Sequence, residues 1–229
     1  MATILALDTS TEACSCALSI NGEILERYAL IPRQHAGSLL PMIDELLQQS
    51  GLKLKALDAV AFGRGPGSFT GLRIAAGVTQ GIAFAADLPV IPVSTLAAMA
   101  LDVHEKYGCT HILSCLDARI DEVYWAQCRV QGGAVDLGLG EHLCKPEAMA
   151  RHTSAGDADW ARMTAAGSGL VYLDRFPQGM RESIVAQYPD VLPRAAQIAV
   201  LAAQQYALRQ YVPAEQAAPV YLRDKVTSF

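Results

Sequence analysis

The stretch Ile4-Leu-Ala-Leu-Asp-Thr-Ser-Thr-Glu12 decides the fold, and a second stretch, Leu116-Asp-Ala-Arg-Ile-Asp-Glu122, repeats its plan. In each, a short apolar run predicts a buried strand, an aspartate ends that strand, and a short turn leads into another strand-like run. The repeat predicts two halves that are built alike, with Asp8 and Asp117 in equivalent positions. Chance similarity of two short stretches is the alternative.

The region that follows the first stretch alternates between strand and helix patterns. Asn21-Gly22 predicts a two-residue hairpin turn between two strands. Apolar residues at helical spacing predict a helix over 38–49, a buried strand follows over 58–62, and a second helix is predicted over 70–86. This alternation indicates the α/β class, with helices packed against sheets.

The domain division follows from where the second strand-rich block begins. We expect an N-terminal domain over 1–106 and a smaller, more divergent C-terminal domain over 107–229. A long alanine-rich helix predicted over 194–209 is able to pack back on the first domain.

Composition narrows the class of protein. Of the 229 residues, 52% are apolar and 18% are charged, which is typical of a globular chain with a full core. The net charge of −5 argues against tight nucleic-acid binding by this chain alone, since phosphate neutralisation needs clustered Lys and Arg. The six cysteines form no C-x-x-C pair, which is typical of reduced thiols in a cytoplasmic protein.

The most apolar region, residues 74–101, is the only candidate for a membrane span. Polar residues and prolines interrupt it at Gln80, Asp87, Pro89 and Pro92. We therefore expect a cytoplasmic protein that does not enter a membrane.

The turn after the first strand is the first candidate site. Asp8 at the strand end, with the hydroxyls of Ser10 and Thr11 behind it, could position a metal-bound phosphate. A hairpin turn built from its favoured residues is the plainer interpretation.

The second candidate is the glycine loop, residues 63–73, which reads Gly-Arg-Gly-Pro-Gly-Ser-Phe-Thr-Gly-Leu-Arg. It lies between a predicted strand and a predicted helix, where backbone amides can bind an anion. It lacks the Gly-Lys-Ser/Thr of a Walker loop. Its glycine density, including Gly65 and Gly67, favours close approach by a ligand or a partner, and a purely structural loop is the alternative.

The third candidate is Gly167-Ser-Gly169 in the second half. Such a turn could meet an adenosine, although a lone G-x-G is more often an ordinary turn. Asp117, the counterpart of Asp8, is a further candidate for the same nucleotide site. The nucleotide hypothesis therefore rests on two aspartates, two hydroxyls and four glycines, and the ligand would be ATP or ADP.

These motifs together resemble the TsaB family, also called YeaZ. The resemblance is carried by Asp8-Thr-Ser10, the glycine loop, Asp117-Ala-Arg119 with Glu122-Val-Tyr124, and the ending Pro219-Val-Tyr-Leu-Arg223. It covers nearly the whole chain and is weakest over 132–165.

The resemblance implies the ASKHA superfamily fold, that of actin: two ribonuclease-H-like domains, each a mixed five-stranded sheet flanked by helices. It implies a non-catalytic subunit that forms a heterodimer with the metal-bearing paralogue TsaD and activates it. With the ATPase TsaE, these proteins transfer a threonylcarbamoyl group to adenosine 37 of tRNAs that decode ANN codons. The chain would then be no enzyme, would hold no cofactor of its own beyond weak ATP or ADP binding, and would reach tRNA only through the complex.

The resemblance also places the partner interface on the helices predicted over 38–49 and 70–86, where small residues allow close helix approach. The same surface could support a homodimer in isolation. The residues expected there are His35, Leu39, Met42, Ile43, Leu46, Arg73, Ala76, Gly77 and Gln80. The alternative is that these faces cover only their own sheet.

The catalytic metal of the paralogue is bound by two histidines, and in this sequence Thr95 and Met99 stand at the corresponding positions. Neither is a plausible iron or zinc ligand there, so we expect no catalytic metal. Two other functions stay open: a stand-alone ATP-dependent phosphotransferase or ATPase of the actin-like superfamily, and, much less favoured, a metalloprotease.

Overall fold

The structure is a computed structural model that describes residues 2–152 and 162–223. It divides into two compact units. Unit 1 comprises Met1–Ala98 and Pro193–Val220, and unit 2 comprises Met99–Leu192 and Tyr221–Phe229. The expected boundary at residue 107 is therefore placed too late, and the first unit is discontinuous, because the chain returns to it after residue 192.

Unit 1 contains a mixed five-stranded sheet in the order β3-β2-β1-β4-β5. The pairs β1–β4 and β4–β5 are parallel, whereas β1–β2 and β2–β3 are antiparallel. Its strands are β1 (Ile4–Asp8), β2 (Ala13–Ile20), β3 (Glu23–Leu30), β4 (Ala59–Gly65) and β5 (Val90–Ser94).

Helices cover both faces of this sheet. They are α1 (His35–Ser50), α2 (Phe69–Ala86) and α5 (Ala195–Ala207). Cys14 and Cys16 on β2 share one core with α1 and α2. Ser15 points to the opposite face, where its Oγ accepts a hydrogen bond from the Ala195 N–H at 3.0 Å. Helix α5 therefore packs on the other side of the same sheet.

Unit 2 repeats this arrangement. Its sheet runs in the order β8-β7-β6-β10-β11, which is the unit 1 order strand for strand, and β9 adds to β7. The described part of this sheet thus has six strands rather than the expected five. Its strands are β6 (His111–Arg119), β7 (Glu122–Gln131), β8 (Ala134–Asp136), β9 (His142–Cys144), β10 (Met163–Ala166) and β11 (Ile184–Tyr188).

The remaining helices are α3 (Thr95–Tyr107), in which the chain passes from unit 1 to unit 2, and α4 (Gln178–Ser183). Short 3-10 segments lie at Leu54–Ala56, Pro146–His152, Ser168–Arg175 and Ala214–Gln216. The shared strand order confirms the α/β class and the common plan of the two halves. Across residues 2–152 and 162–223, none of the helices combines the length and apolarity needed to cross a membrane.

Two local boundaries differ from expectation. Helix α1 begins at His35 instead of residue 38, because the Gln34 carbonyl already accepts hydrogen bonds from the Gly37 and Ser38 amides. Strand β4 continues past residue 62 to Gly65 and pairs there with β5, so the first glycines of the glycine loop are strand residues.

Candidate functional site

Asp8 ends β1 with its carboxylate fully buried. Oδ1 accepts hydrogen bonds from the Ser10 amide at 3.0 Å and the Ser10 hydroxyl at 2.9 Å. Oδ2 accepts none from any described residue. Burial raises the pKa of Asp8 to about 6, and the two hydrogen bonds from Ser10 offset part of that rise. Asp8 is thus a buried acid with one unpaired oxygen.

The glycine loop packs directly on the turn that follows Asp8. A Cβ on Gly63 would lie 2.0 Å from Asp8 Oδ2, and a Cβ on Gly67 would lie 2.5 Å from the Ser10 carbonyl oxygen. The Ser10 carbonyl also accepts a hydrogen bond from the Ser68 amide at 2.7 Å. The close approach inferred from glycine density is therefore made by the chain's own turn.

The start of α2 is held in the same way. The Thr9 hydroxyl donates to the Gly71 carbonyl at 2.7 Å, and a Cβ on Gly71 would lie 1.8 Å from the Thr9 carbonyl oxygen. Thr11 points away, where its Oγ1 accepts a long hydrogen bond of 3.3 Å from the Ala13 amide. The turn thus occupies the side of the glycine loop toward which side chains at positions 67 and 71 would project.

Gly65 faces the C-terminal segment instead of a ligand. Its φ is +110°, and a Cβ there would lie 3.0 Å from the Val220 carbonyl oxygen. The Val220 amide donates to the Arg64 carbonyl at 2.8 Å, which fixes this contact. A side chain at position 65 is therefore excluded by the backbone conformation and by the adjacent segment around Val220.

Gly167 and Gly169 in unit 2 also pack closely against their own chain. A Cβ on Gly167 would lie 2.3 Å from the Cys115 carbonyl oxygen, and a Cβ on Gly169 would lie 2.3 Å from the Cys115 sulfur. The Ser168 hydroxyl between them accepts a hydrogen bond from the Asp117 amide at 3.1 Å. This G-x-G turn packs against β6 and presents no open face at its glycines.

Asp117 differs from Asp8 in being partly exposed and fully hydrogen bonded. Its Oδ1 accepts from the Arg119 amide at 2.8 Å and from the Tyr172 hydroxyl at 3.4 Å, and its Oδ2 accepts from the Arg119 guanidinium at 3.1 Å. Asp8 belongs to unit 1 and Asp117 to unit 2, each within its own set of contacts. The chain's own groups bind both oxygens of Asp117 and Oδ1 of Asp8, whereas Asp8 Oδ2 has no partner among the described residues.

The two positions matched to the metal ligands of the paralogue serve internal packing. Thr95 is buried, and its hydroxyl donates to the Pro66 carbonyl at 2.6 Å. Met99 is also buried, and its methyl group lies against Gly167. Within the described ranges, no group of three or more His, Cys, Asp or Glu side chains is placed to hold a metal ion.

Five of the nine residues expected at a partner interface are buried inside unit 1, which corrects that expectation for them. Leu39, Ile43, Leu46 and Ala76 belong to the core between the sheet and its helices. His35 is buried as well, with its Nε2 3.2 Å from the Ala13 carbonyl oxygen. The buried residues of α1 recur at helical spacing and form the inner face of that helix. They therefore cover the sheet of their own unit.

The other four lie nearer the surface, with Arg73 and Gly77 exposed and Met42 and Gln80 half-buried. The guanidinium of Arg73 lies over the Phe69 ring at 3.9 Å. Gln80 is held by its own chain, since its Nε2 donates to the Ala217 carbonyl at 2.9 Å. Of the nine, Arg73 and Gly77 are the residues most available to a partner.

Three large apolar residues on these helices are exposed, and the sequence-based interface did not include Phe69 on α2, Leu40 on α1 or Phe84 on α2. Phe84 on α2 is 84% exposed, and Leu40 on α1 is 54% exposed. Phe84 follows Gly77 by seven residues, and Gly81 lies between them, so all three share the outer face of α2. That spacing was the signal in the sequence, and we call Gly77, Gly81 and Phe84 the α2 outer face.

Comparison with known proteins assigns the family. The family model described as TsaD, tRNA N6-adenosine threonylcarbamoyltransferase, matches residues 29–228. A tRNA threonylcarbamoyladenosine biosynthesis protein TsaB from Haemophilus influenzae is 41% identical over 98% of this chain and 95% of its own length. Its namesake from Escherichia coli K12 is 40% identical over 97% and 95%.

A solved structure agrees. YeaZ from Pseudomonas aeruginosa superposes with a TM-score of 0.90 at 46% identity, over 97% of this chain and 100% of that one. With sequence and structure matched over nearly its entire length, the chain belongs to the TsaB (YeaZ) family.

Proposed function

We propose that this chain acts in tRNA threonylcarbamoyladenosine biosynthesis as a non-catalytic subunit that binds and activates TsaD, together with TsaE. Family membership supports the process, since the relatives carry that name. The observation that carries the subunit role is the α2 outer face, where glycines stand beside an exposed phenylalanine.

The glycines of this face are not explained by the fold. No described atom lies within 4 Å of a Cβ placed on Gly77 or Gly81, apart from the backbone of their own helix. A glycine inside a helix costs about 1 kcal/mol relative to alanine. An open surface would accept alanine at no steric cost, so the two glycines point to an element of another protein that packs closely on the helix backbone.

Phe84 supports the same surface. It is the most exposed of the large apolar side chains described, and exposed apolar groups of this size mark binding sites when they lie together. The exposed Arg73 guanidinium on the Phe69 ring adds a polar rim at one end of the helix. Aromatic and arginine side chains are the residue types that contribute most to protein interfaces. The same surface would also let the chain form a homodimer when TsaD is absent.

The absence of transfer activity in this chain is the second part of the proposal. Thr95 donates to the Pro66 carbonyl and Met99 packs in the interior, so neither position offers a metal ligand. The net charge of −5 supports tRNA contact through the complex instead of through this chain alone.

Reconstitution tests the proposal. Purified TsaD and TsaE are incubated with ATP, threonine, a bicarbonate source, the enzyme that forms threonylcarbamoyl-adenylate, and an ANN-decoding tRNA, with or without this chain. We expect modified tRNA only when this chain is added, and none from this chain without TsaD. Full activity of TsaD and TsaE without this chain would contradict the proposal.

The competing hypothesis is that this chain binds a nucleotide by itself. The Asp8 turn fills the glycine loop, and Cys115 fills the Gly167–Gly169 turn, so we expect no binding of ATP or ADP at either place. Titration calorimetry with ATP and Mg²⁺ tests this separately. Stoichiometric binding below about 1 mM would favour a stand-alone ATPase or phosphotransferase.

A further inference from the structure

The hairpin turn between β6 and β7 has an unfavourable backbone conformation. Arg119, Ile120 and Asp121 have φ values of +62°, +55° and +56°. The left-handed region costs free energy for ordinary residues, and most of all for a β-branched one such as isoleucine. Ile120 is also 67% exposed, so burial of its side chain does not offset that cost.

A second hairpin in the same chain shows the relaxed form of such a turn. Asn21 and Gly22 join β2 to β3 with φ values of +54° and +93°. Asparagine and glycine are the residues that two-residue hairpins favour at these conformations. The Ile120-Asp121 turn adopts a similar backbone, but it places a β-branched isoleucine where the first hairpin has asparagine, so we expect it to depend on contacts from outside the turn.

That support comes from the C-terminal segment. The Arg223 guanidinium donates to the Ala118 carbonyl at 3.1 Å and to Glu122 Oε2 at 2.5 Å. The two acceptors flank the three left-handed residues on either side, so one side chain bridges the base of the turn. Both partners of the ion pair are half-buried, with 24% and 30% of their side-chain surfaces exposed, which reduces its screening by water only in part.

Tyr172 and Arg175 also bind the turn, through the carboxylates of two aspartates. The Tyr172 hydroxyl donates to Asp117 Oδ1 at 3.4 Å. Arg175 donates to Asp121 Oδ1 at 3.0 Å and to Glu147 Oε1 at 2.6 Å. These contacts reach single residues of the turn, whereas Arg223 connects its two ends.

We propose that Arg223 is a latch: it holds the β6–β7 turn in its strained conformation, and the turn relaxes when the latch is released. Arg223 is thus a positioning residue, and the C-terminal segment is a strap that fixes the exposed tip formed by Ile120. The proposal goes beyond the subunit function and is independent of it, because it concerns the chain alone.

A double-mutant cycle in the full-length chain tests the latch. Arg223→Gln removes the contacts to Ala118 and Glu122. Ile120→Gly relieves the unfavourable backbone conformation and leaves the ion pair between Arg175 and Asp121 in place. Amide hydrogen exchange is followed by mass spectrometry in peptides that cover residues 116–124. We expect Arg223→Gln to speed exchange there at least about tenfold in the natural background, and by less than about threefold in the Ile120→Gly background.

Glu122→Gln gives the same test from the other end of the bridge, should Arg223→Gln fail to fold. Arg27→Gln, which loses an ion pair to Glu45 in unit 1, is the matched control and should leave exchange over 116–124 unchanged. Equal effects of Arg223→Gln with and without Ile120→Gly would overturn the proposal, because they would show an ordinary ion pair unconnected to the strain of the turn. No acceleration from either latch variant would overturn it too.

Discussion

Two groups of glycines lie within twenty residues of each other and face opposite environments. A Cβ on Gly63, Gly67 or Gly71 would come within 2.5 Å of the Asp8 turn. A Cβ on Gly77 or Gly81 would meet no described atom within 4 Å outside the helix's own backbone. The first group is required by the fold, since the chain packs on itself there. The second group weakens α2, and we propose that it makes room for a partner protein on that face.

The largest expected effect is on partner binding by Gly77→Arg. The arginine would project from the α2 outer face and place an unpaired charge in the proposed interface, which should weaken TsaD binding by about 4 kcal/mol. Titration calorimetry with TsaD measures it. Gly179→Arg, at an exposed open glycine of α4, is the control and should bind normally.

The neighbouring substitution Ala76→Arg sharpens this contrast. Ala76 is buried in the unit 1 core, so this arginine should prevent folding instead of affecting binding alone. A folded Ala76→Arg protein with normal thermal stability would show that the inner and outer faces of α2 are assigned wrongly.

The next effect is on folding by Gly71→Ala. The added methyl group would have to displace the Thr9 carbonyl, which is backbone and cannot rotate away. We expect a loss of roughly 3 kcal/mol in the free energy of unfolding. Urea unfolding measures it, with Gly81→Ala in the same helix as control. A loss below about 1 kcal/mol would mean that the loop and the turn are less tightly packed than described.

The pH dependence of stability tests whether the turn that contains Asp8 is closed to water. The folded state favours protonated Asp8, since burial raises its pKa from 3.8 to about 6. The contribution of Asp8 to stability is therefore greatest below about pH 4 and falls as pH rises through 6, by about 3 kcal/mol in all.

Urea unfolding of the natural chain and of Asp8→Asn from pH 4 to 7 isolates this contribution. The difference between the two unfolding free energies should fall by about 2 kcal/mol over this range, because asparagine does not ionise. A difference that stays constant would mean that water reaches Asp8 and that the turn is open.

The smallest effect is the gain from filling the open positions. Gly77→Ala and Gly81→Ala should each raise the free energy of unfolding by about 1 kcal/mol, because alanine favours the helix and meets no obstacle. Thermal unfolding of the chain alone measures both. A loss of stability would show that these glycines are needed by the fold as well.

The sequence predicted more of the fold than of the site, for a physical reason. The apolar run before Asp8, its counterpart before Asp117 and the Asn21-Gly22 turn are local signals, and they were sufficient for the shared plan of the two units. What approaches Gly63 or Gly71 depends on residues about 55 to 62 positions away, which no local pattern contains.

The faces of α2 were indistinct in the sequence because Arg73 is its only charged residue, so no polar stripe marks the outer side. Leu39 and Leu46 on α1 followed the helical period clearly, yet the period alone does not say whether the stripe meets its own sheet or a partner. Burial in the structure assigns both residues to the sheet.

The most direct test of the account is the affinity for TsaD of the double variant Gly77→Ala/Gly81→Ala, measured by titration calorimetry beside its unfolding free energy. The account predicts a more stable chain that binds TsaD at least about tenfold more weakly, because two methyl groups hold the partner away from the helix backbone. A more stable chain that binds TsaD as tightly as the natural one would contradict the claim that the α2 outer face is the partner surface.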